Sequence, residues 1–129
     1  MPVVALRPTD LSQTYNRAMP DHYYHPDDLT RFGDIGRNAP DLARKFFDWY
    51  SAVFADGALS AREKSLIALA VAHAVQCPYC IDAYSKDALE KGSDLDQMTE
   101  AVHVAAAIRG GASLVHGIQM RNHTTALGM

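Results

Sequence analysis

The chain has very little cysteine: among its 129 residues, Cys77 and Cys80 are the only thiols. One pair can form at most one bridge, which excludes a framework of disulfides joining distant loops. Basic residues are also few, with 12 Lys and Arg against 15 Asp and Glu. The resulting net charge of -3 gives no polybasic surface for nucleic acid. The composition therefore favours neither a disulfide-stapled secreted domain nor a nucleic-acid-binding protein.

Long hydrophobic runs are missing as well. The most apolar stretch, residues 66–75, is too short to cross a bilayer and contains His73. Residues 1–8 do not show the charged flank and apolar region of a secretory signal. We therefore expect no membrane association and a cytoplasmic location. In that reducing compartment, an isolated Cys-x-x-Cys is more often catalytic or metal-binding than structural.

Alternating strand patterns are absent, whereas helix formers, including 20 alanines, are abundant. The sequence therefore predicts an all-α fold, a bundle of about six helices. Its length allows one domain with a real core, which we place at residues 26–129. Residues 1–25 contain three prolines and no clear period, and we expect them to form an N-terminal arm.

Capping residues, prolines and glycines mark the ends of the expected helices. Ser60 and Glu63 form a capping-box pattern, Pro78 suits a first helical position, and Gly110-Gly111 predicts a break or tight joint. We expect helices over about residues 28–36, 40–55, 61–76, 78–91, 94–109 and 112–122. Two segments, residues 66–75 and 101–108, are apolar nearly all the way round. Because so small a domain cannot easily surround both, we expect a homo-oligomer.

The Cys77-Pro78-Tyr79-Cys80 motif falls where a helix begins. Cys77 lies near the N-cap position and Cys80 in the first turn, where free N–H groups and the helix dipole favour an anion. We therefore expect a lowered thiol pKa at Cys80. A thiolate attacks a peroxide or a disulfide, and the second cysteine then closes a disulfide, without metal or cofactor. These residues favour a redox pair.

Two other interpretations of the cysteine pair stay open. The pair could be half of a zinc site, or two inert buried thiols. A zinc site would need further ligands, and the histidines available for it are His22, His25, His73, His103 and His116. The chain has no second Cys-x-x-Cys, and a thioredoxin-like domain would need a βαβ pattern that the sequence lacks.

Three motifs in order resemble the AhpD-like (carboxymuconolactone decarboxylase) superfamily over roughly residues 40–120. They are the run at residues 62–72, the cysteine motif, and Arg-Gly-Gly-Ala-Ser-Leu-Val-His at residues 109–116. Within that superfamily, the chain is most similar to the arsenosugar biosynthesis-associated peroxidase-like proteins. That likeness also takes in Tyr23-Tyr24 and residues 32–36 and 74–84.

The resemblance implies an all-helical fold, assembly as trimers or hexamers, and reduction of hydroperoxides by the cysteine pair. We expect an external dithiol donor to regenerate the pair. The resemblance also implies that Cys80 attacks and Cys77 resolves. From the cysteine pair itself we expect no cofactor and no metal. The family's proton relay is a Glu and a His, and this chain has Ser65 and Tyr84 at those two places. A serine cannot act as a charged base, so the relay is either rebuilt or absent.

Three residues are candidates for a rebuilt relay. Glu63 is charged, but about 200° of helical rotation separates it from Ser65, and a plain capping role explains it equally well. His73 lies one turn before Cys77, although such a histidine is more often a hydrogen-bonded core residue. Tyr84 follows Cys80 by one turn, so its hydroxyl should face the sulfur.

The cysteine pair also bears on two rival functions. The thiolates could instead hold a soft ligand, trivalent arsenic or zinc, without turnover. Decarboxylase or isomerase chemistry, as in other branches of the superfamily, is disfavoured because those branches typically lack the cysteine pair.

We interpret the aromatic cluster as core or subunit interface, with a substrate pocket as a minor alternative; its members are Phe46, Phe47, Trp49, Tyr50 and Phe54.

Overall fold

A computed structural model describes residues 23–129, and this part of the chain contains five helices and no strand. The all-α prediction is therefore confirmed. Most of the expected N-terminal arm, residues 1–22, lies outside the described residues. The elements are a 3-10 helix at Pro26–Gly36 and four α-helices, α1 at Pro40–Phe54, α2 at Ala61–Ala74, α3 at Pro78–Glu90 and α4 at Leu95–Ala126.

The helix starts follow the capping signals of the sequence. Ser60 Oγ accepts the Glu63 N–H, and the Glu63 carboxylate accepts the Ser60 N–H, so the capping box of α2 is confirmed. Asp94 caps α4 in the same way, with Gln97 as its partner. Gly92 follows α3 with φ +86°, a left-handed conformation that lets the chain leave the helix without a Cβ penalty.

The expected break at Gly110-Gly111 is wrong, because α4 runs through both glycines as one helix of 32 residues. The chain therefore has five helices in its described part and not about six. Neither glycine has a positive φ, and no capping residue or proline adjoins the pair to stop the helix. Each glycine costs a helix about 1 kcal/mol relative to alanine, which good helix formers on both sides offset.

Replacing Gly110 with alanine should stabilise the protein. A Cβ on Gly110 would meet nothing within 4 Å among the described residues, so the change removes backbone entropy from the unfolded chain without creating a clash. We expect a gain of about 0.5–1 kcal/mol in the free energy of unfolding, measured by urea denaturation. A loss of stability would show that this site is tightly packed in the protein in solution.

The core lies where α2, α3 and α4 meet. Leu69, Ala88 and Met98 form its buried centre, and Leu66 and Tyr84 pack against them. At the other side of the domain, Phe32 of the 3-10 helix contacts Phe47 of α1 edge-to-face, with ring centroids 5.1 Å apart. Because Tyr84 belongs to both this core and α3, the core fixes the orientation of the helix that carries the cysteine pair.

Two tyrosine–carboxylate hydrogen bonds hold the start of the described chain against α3. The Tyr24 hydroxyl donates to Asp82 at 2.5 Å, and the Tyr79 hydroxyl donates to Asp28 at 2.8 Å. The two rings also meet edge-to-face, 4.8 Å apart. The bond from Tyr24, followed by the ion pair with Lys86, lowers the pKa of Asp82. Tyr79 of the cysteine motif thus serves to anchor the chain.

A stripe of apolar side chains stays exposed along α4. Val104, Ile108, Val115 and Ile118 lie on one side of this helix and are 55–70% exposed. From residue 110 to the end of α4, every residue except Gly117 is exposed in the single chain. No helix within residues 23–129 is long and apolar enough to cross a membrane.

Candidate active site

The turn between α2 and α3 sets the position of the cysteine motif. Gln76 has φ +56°, the one positive value at a non-glycine residue of residues 23–129, and the next N–H, of Cys77, bonds the Ala72 carbonyl at 3.0 Å. Cys77 is the N-cap of α3, as expected, and its Sγ accepts the Cys80 N–H at 3.2 Å. Both cysteines are free thiols and half-buried. The helix therefore begins with a reduced, closely spaced pair.

Cys80 lies at an apolar cavity of about 410 Å³ formed by α1, α2, the segment between them and α3. Cys77 is not among the residues that line it. The lining is apolar except for the ammonium of Lys64, the hydroxyls of two tyrosines and the thiol. It consists of Tyr50, Val53, Phe54, Leu59, Lys64, Ile67, Ala68, Val71, Ala72, Val75, Cys80 and Tyr84. A molecule that enters this cavity meets the sulfur of Cys80.

The expectation of a lowered pKa at Cys80 is wrong. Burial, the hydrogen bond to Cys77 and the charge of Cys77 together raise the pKa of Cys80 to about 11. The Cys80 N–H donates to Cys77 Sγ, and the lowering effect of the backbone on the pKa of Cys80 is smaller than the raising effect of burial at the apolar cavity. Desolvation at Cys80 therefore outweighs the effect of the helix terminus.

Tyr84 and Tyr50 meet beside Cys80 through a hydrogen bond between their hydroxyls. Tyr84 stacks on Phe54 with ring centroids 5.2 Å apart, and Phe54 contacts Tyr50 at 4.9 Å. Burial raises the pKa of Tyr50, and negative charge on Cys80, Asp87 and Cys77 raises it further. Tyr50 is therefore a neutral phenol at neutral pH.

The acidic candidate of the sequence does not reach the cavity. The Glu63 carboxylate is exposed, occupied by the Ser60 N–H at 2.7 Å, and not among the lining residues. Ser65, at the place of the family's relay Glu, is fully buried and donates its hydroxyl to the Arg62 carbonyl at 2.6 Å. Neither residue is positioned to take a proton from a reactant in the cavity.

The histidine candidate is held by its own helix. His73 Nδ1 lies 2.8 Å from the Leu69 carbonyl, and since a carbonyl only accepts, Nδ1 carries the proton. The ring is half-buried and does not line the cavity. His103 and His116 are exposed on α4. Of the proposed relay residues, the structure brings only Tyr84 to the cavity that holds Cys80.

Two polar residues of the lining, Tyr50 and Lys64, are not among the site residues predicted from the sequence. The sequence places Tyr50 in an aromatic cluster interpreted as core or subunit interface, with a substrate pocket as the minor alternative, because nothing local connects it with a cysteine 30 positions later. Lys64 is the one charged residue of the lining, and its ammonium donates to the Ala55 carbonyl at 2.5 Å. The position of Lys64 in the sequence, one turn after the N-cap of α2, does not predict that its side chain lines a cavity.

The described residues contain no cluster of three or more His, Cys, Asp or Glu side chains that could hold a metal ion. His22, which the sequence offered as a ligand together with His25, lies outside them. A third ligand beside Cys77 and Cys80 is therefore not supplied by residues 23–129.

The fold and this site define a class: an all-helical protein with two cysteines at a helix start, the second of which lies at an apolar cavity. The model of the carboxymuconolactone decarboxylase family matches residues 40–120. The chain belongs to that family, which contains decarboxylases and alkylhydroperoxidase-like proteins.

The chain is also similar to several known proteins, one of which is described as a member of this family. The chain is 42% identical over 91 residues to "Uncharacterized protein 4 in cox locus" of Paracoccus denitrificans, covering 70% of this chain and 82% of that protein. A crystal structure of a Methanobacterium thermoautotrophicum protein matches with a TM-score of 0.63 and 34% identity, over 65% of this chain and 94% of that one. A carboxymuconolactone decarboxylase family protein from Legionella pneumophila matches with a TM-score of 0.60 and 32% identity, over 70% and 80%.

Proposed function

We propose that the protein is a thiol-dependent peroxidase that reduces hydroperoxides, or disulfides, through Cys80 and Cys77. The observation that carries the proposal is the position of Cys80, a free thiol at an apolar cavity with the free thiol of Cys77 three residues away at the cap of the same helix. An apolar cavity accommodates the organic part of a hydroperoxide, while the sulfur attacks its outer oxygen.

The first half of the reaction oxidises Cys80. Cys80 loses its proton to solvent, and the thiolate attacks the outer oxygen of the hydroperoxide. A sulfur–oxygen bond forms, the oxygen–oxygen bond breaks, and the electron pair leaves on the inner oxygen as an alkoxide. The alkoxide takes a proton from Tyr84 and departs as the alcohol, and Tyr84 regains a proton from solvent. Cys80 is then a sulfenic acid, two electrons more oxidised than the thiol.

The second half closes the disulfide. Cys77 sulfur attacks the sulfur of the Cys80 sulfenic acid, and hydroxide leaves with the Cys77 proton as water. An external dithiol returns the pair to its reduced state and becomes a disulfide itself. A reducing compartment supplies such donors, so we propose a cytoplasmic location. The finer likeness to arsenosugar-associated proteins stays a prediction.

Multiple turnover tests the proposal. Purified protein is mixed with excess cumene hydroperoxide and dithiothreitol, and the loss of peroxide is followed against a matched sample whose thiols were first blocked with iodoacetamide. We expect consumption of many equivalents of peroxide per chain, and none beyond the uncatalysed rate in the blocked sample. Equal rates in the two samples would refute a peroxidase.

The soft-ligand hypothesis gives a different outcome in the same preparation. A binding protein would carry zinc or arsenic after purification, or would bind zinc or arsenite at one equivalent per chain, without consuming peroxide. Elemental analysis of the purified protein therefore accompanies the turnover assay. Stoichiometric metal or arsenic together with no turnover would favour that rival.

We also propose that the chain assembles with copies of itself through the exposed stripe of α4. Four exposed aliphatic side chains in line along one helix are unusual for the surface of a monomer, and packing against the same stripe of other copies would bury them. The stripe is formed by Val104, Ile108, Val115 and Ile118. The expected assembly is a trimer or hexamer.

Charged substitutions in this stripe should dissociate the assembly. We expect the double variant Ile108→Glu with Val115→Glu to sediment as a monomer at a protein concentration where the unchanged chain is oligomeric, because a carboxylate buried without a partner is costly. Ser113→Glu, about half a helical turn away on the same helix and also exposed, is the matched control and should leave the mass unchanged. An unchanged mass of the double variant would place the interface elsewhere.

A further inference from the structure

The hydroxyls of Tyr50 and Tyr84 are neighbours in the cavity, and one of their two O–H groups has no acceptor among residues 23–129. Each phenol has one O–H to donate, and Tyr50 and Tyr84 share a single hydrogen bond. Neither hydroxyl makes another hydrogen bond within residues 23–129. One of the two O–H groups is therefore free to point at a molecule that enters beside Cys80.

The positions of the two phenols decide which one can serve a reactant at the sulfur. Tyr84 lies on α3, one turn after Cys80 on the same helix, whereas Tyr50 lies on α1 and contacts Phe54 with ring centroids 4.9 Å apart. When the Tyr84 O–H points at a molecule beside Cys80, the Tyr84 oxygen can only accept from Tyr50, so Tyr50 donates the hydrogen bond between the two hydroxyls.

We propose that Tyr50 is a positioning residue of the peroxidase, whose hydroxyl orients Tyr84 and stabilises its oxygen while Tyr84 protonates the leaving alkoxide. The inference rests on the proposed function and adds to it the group that stands in for the family's missing relay. Tyr50 donates one hydrogen bond to Tyr84, and this bond strengthens as negative charge develops on the Tyr84 oxygen. No atom of Tyr50 needs to touch the peroxide.

Comparing two oxidants distinguishes a positioning role of Tyr50 from a merely structural one. Cumene hydroperoxide releases an alkoxide, a strong base that needs a proton from Tyr84. A peracid releases a carboxylate, whose conjugate acid has a pKa of about 4, so it leaves without a proton. The Tyr50→Phe variant should therefore react more slowly with the hydroperoxide and at an unchanged rate with peracetic acid.

The expected loss with cumene hydroperoxide at pH 7 is about tenfold to a hundredfold, since general acid catalysis contributes about 10²–10⁴ and Tyr50 acts through Tyr84. Tyr84→Phe should lose at least as much, and the double variant should be no slower than Tyr84→Phe alone. Tyr24→Phe removes a bonded phenol outside the cavity and is the matched control. Rates are measured as thiol loss under single-turnover conditions, with thermal unfolding to establish that each variant is folded.

Each outcome separates this inference from the proposed function. If the unchanged protein reacts with both oxidants and Tyr50→Phe loses both equally, or neither, Tyr50 is not a positioning residue while the peroxidase stands. If the unchanged protein reacts with peracetic acid alone, the phenol pair fails as a proton source. If it reacts with neither oxidant, the peroxidase proposal is refuted, and the role of Tyr50 with it.

Discussion

Replacing Cys80 with serine should abolish the reaction with hydroperoxides, whereas replacing Cys77 with serine should leave the first step intact. Cys80 lies at the cavity and Cys77 does not, so we expect only Cys80 to meet the peroxide. We expect the Cys80→Ser variant to lose about three orders of magnitude or more in rate. The Cys77→Ser variant should consume one equivalent of peroxide and stop as a sulfenic acid.

The two cysteine variants serve as controls for each other, since each retains one thiol of the same helix end. The sulfenic acid of the Cys77→Ser variant is trapped with dimedone, and the adduct is located by peptide mass spectrometry. A dimedone adduct on Cys77 in the Cys80→Ser variant, with an inert Cys77→Ser variant, would reverse the assigned roles. Loss of reactivity in both variants would mean that neither sulfur acts alone.

The rate of Cys80 oxidation should rise steeply with pH. The reactive form is the thiolate, and burial beside Cys77 raises the pKa of Cys80 to about 11. A raised pKa favours the thiol at every pH below it, so the thiolate fraction grows about tenfold per pH unit. Between pH 7 and pH 10 we expect about a thousandfold increase, without a plateau. A rate that levels off below pH 8 would contradict this.

A variant that keeps the cavity but removes the neighbouring sulfur gives the control for this profile. Cys77→Ala eliminates the hydrogen bond and the charge that contribute to the raised pKa, while the burial of Cys80 persists. The midpoint of its pH profile, measured by iodoacetamide alkylation of Cys80, should therefore fall below 11 and stay above the ordinary value of 9.0. An identical midpoint in both proteins would attribute the whole shift to burial.

Local signals in the sequence were sufficient for most helix ends. Pro78 predicts the first turn of α3, and the Ser60–Glu63 pair predicts that of α2, because capping depends on residues only three positions apart. The same local reasoning failed at Gly110-Gly111. Two glycines weaken a helix by a small amount, and whether it breaks there depends on the stability of the whole of α4, which no short window reveals.

The chemistry of the site depends on contacts that are distant in sequence. The helix end at Cys77 is visible from the motif, and it predicts a stabilised thiolate. The burial that reverses this prediction at Cys80 requires α1 and α2 to form a cavity over the sulfur. Tyr50 became part of the site for the same reason, since its contact with Tyr84 joins α1 to α3.

Counting the thiols after one equivalent of organic hydroperoxide tests the central claim most directly. The fully reduced, metal-free protein is sampled over seconds to minutes at pH 9, where the reaction is expected to be faster, and the product is mapped by mass spectrometry. We predict that both thiols disappear together, that a Cys77–Cys80 disulfide forms within one chain, and that dithiothreitol restores both. Two thiols that survive, while a small-molecule thiol in the same buffer is oxidised, would contradict the account.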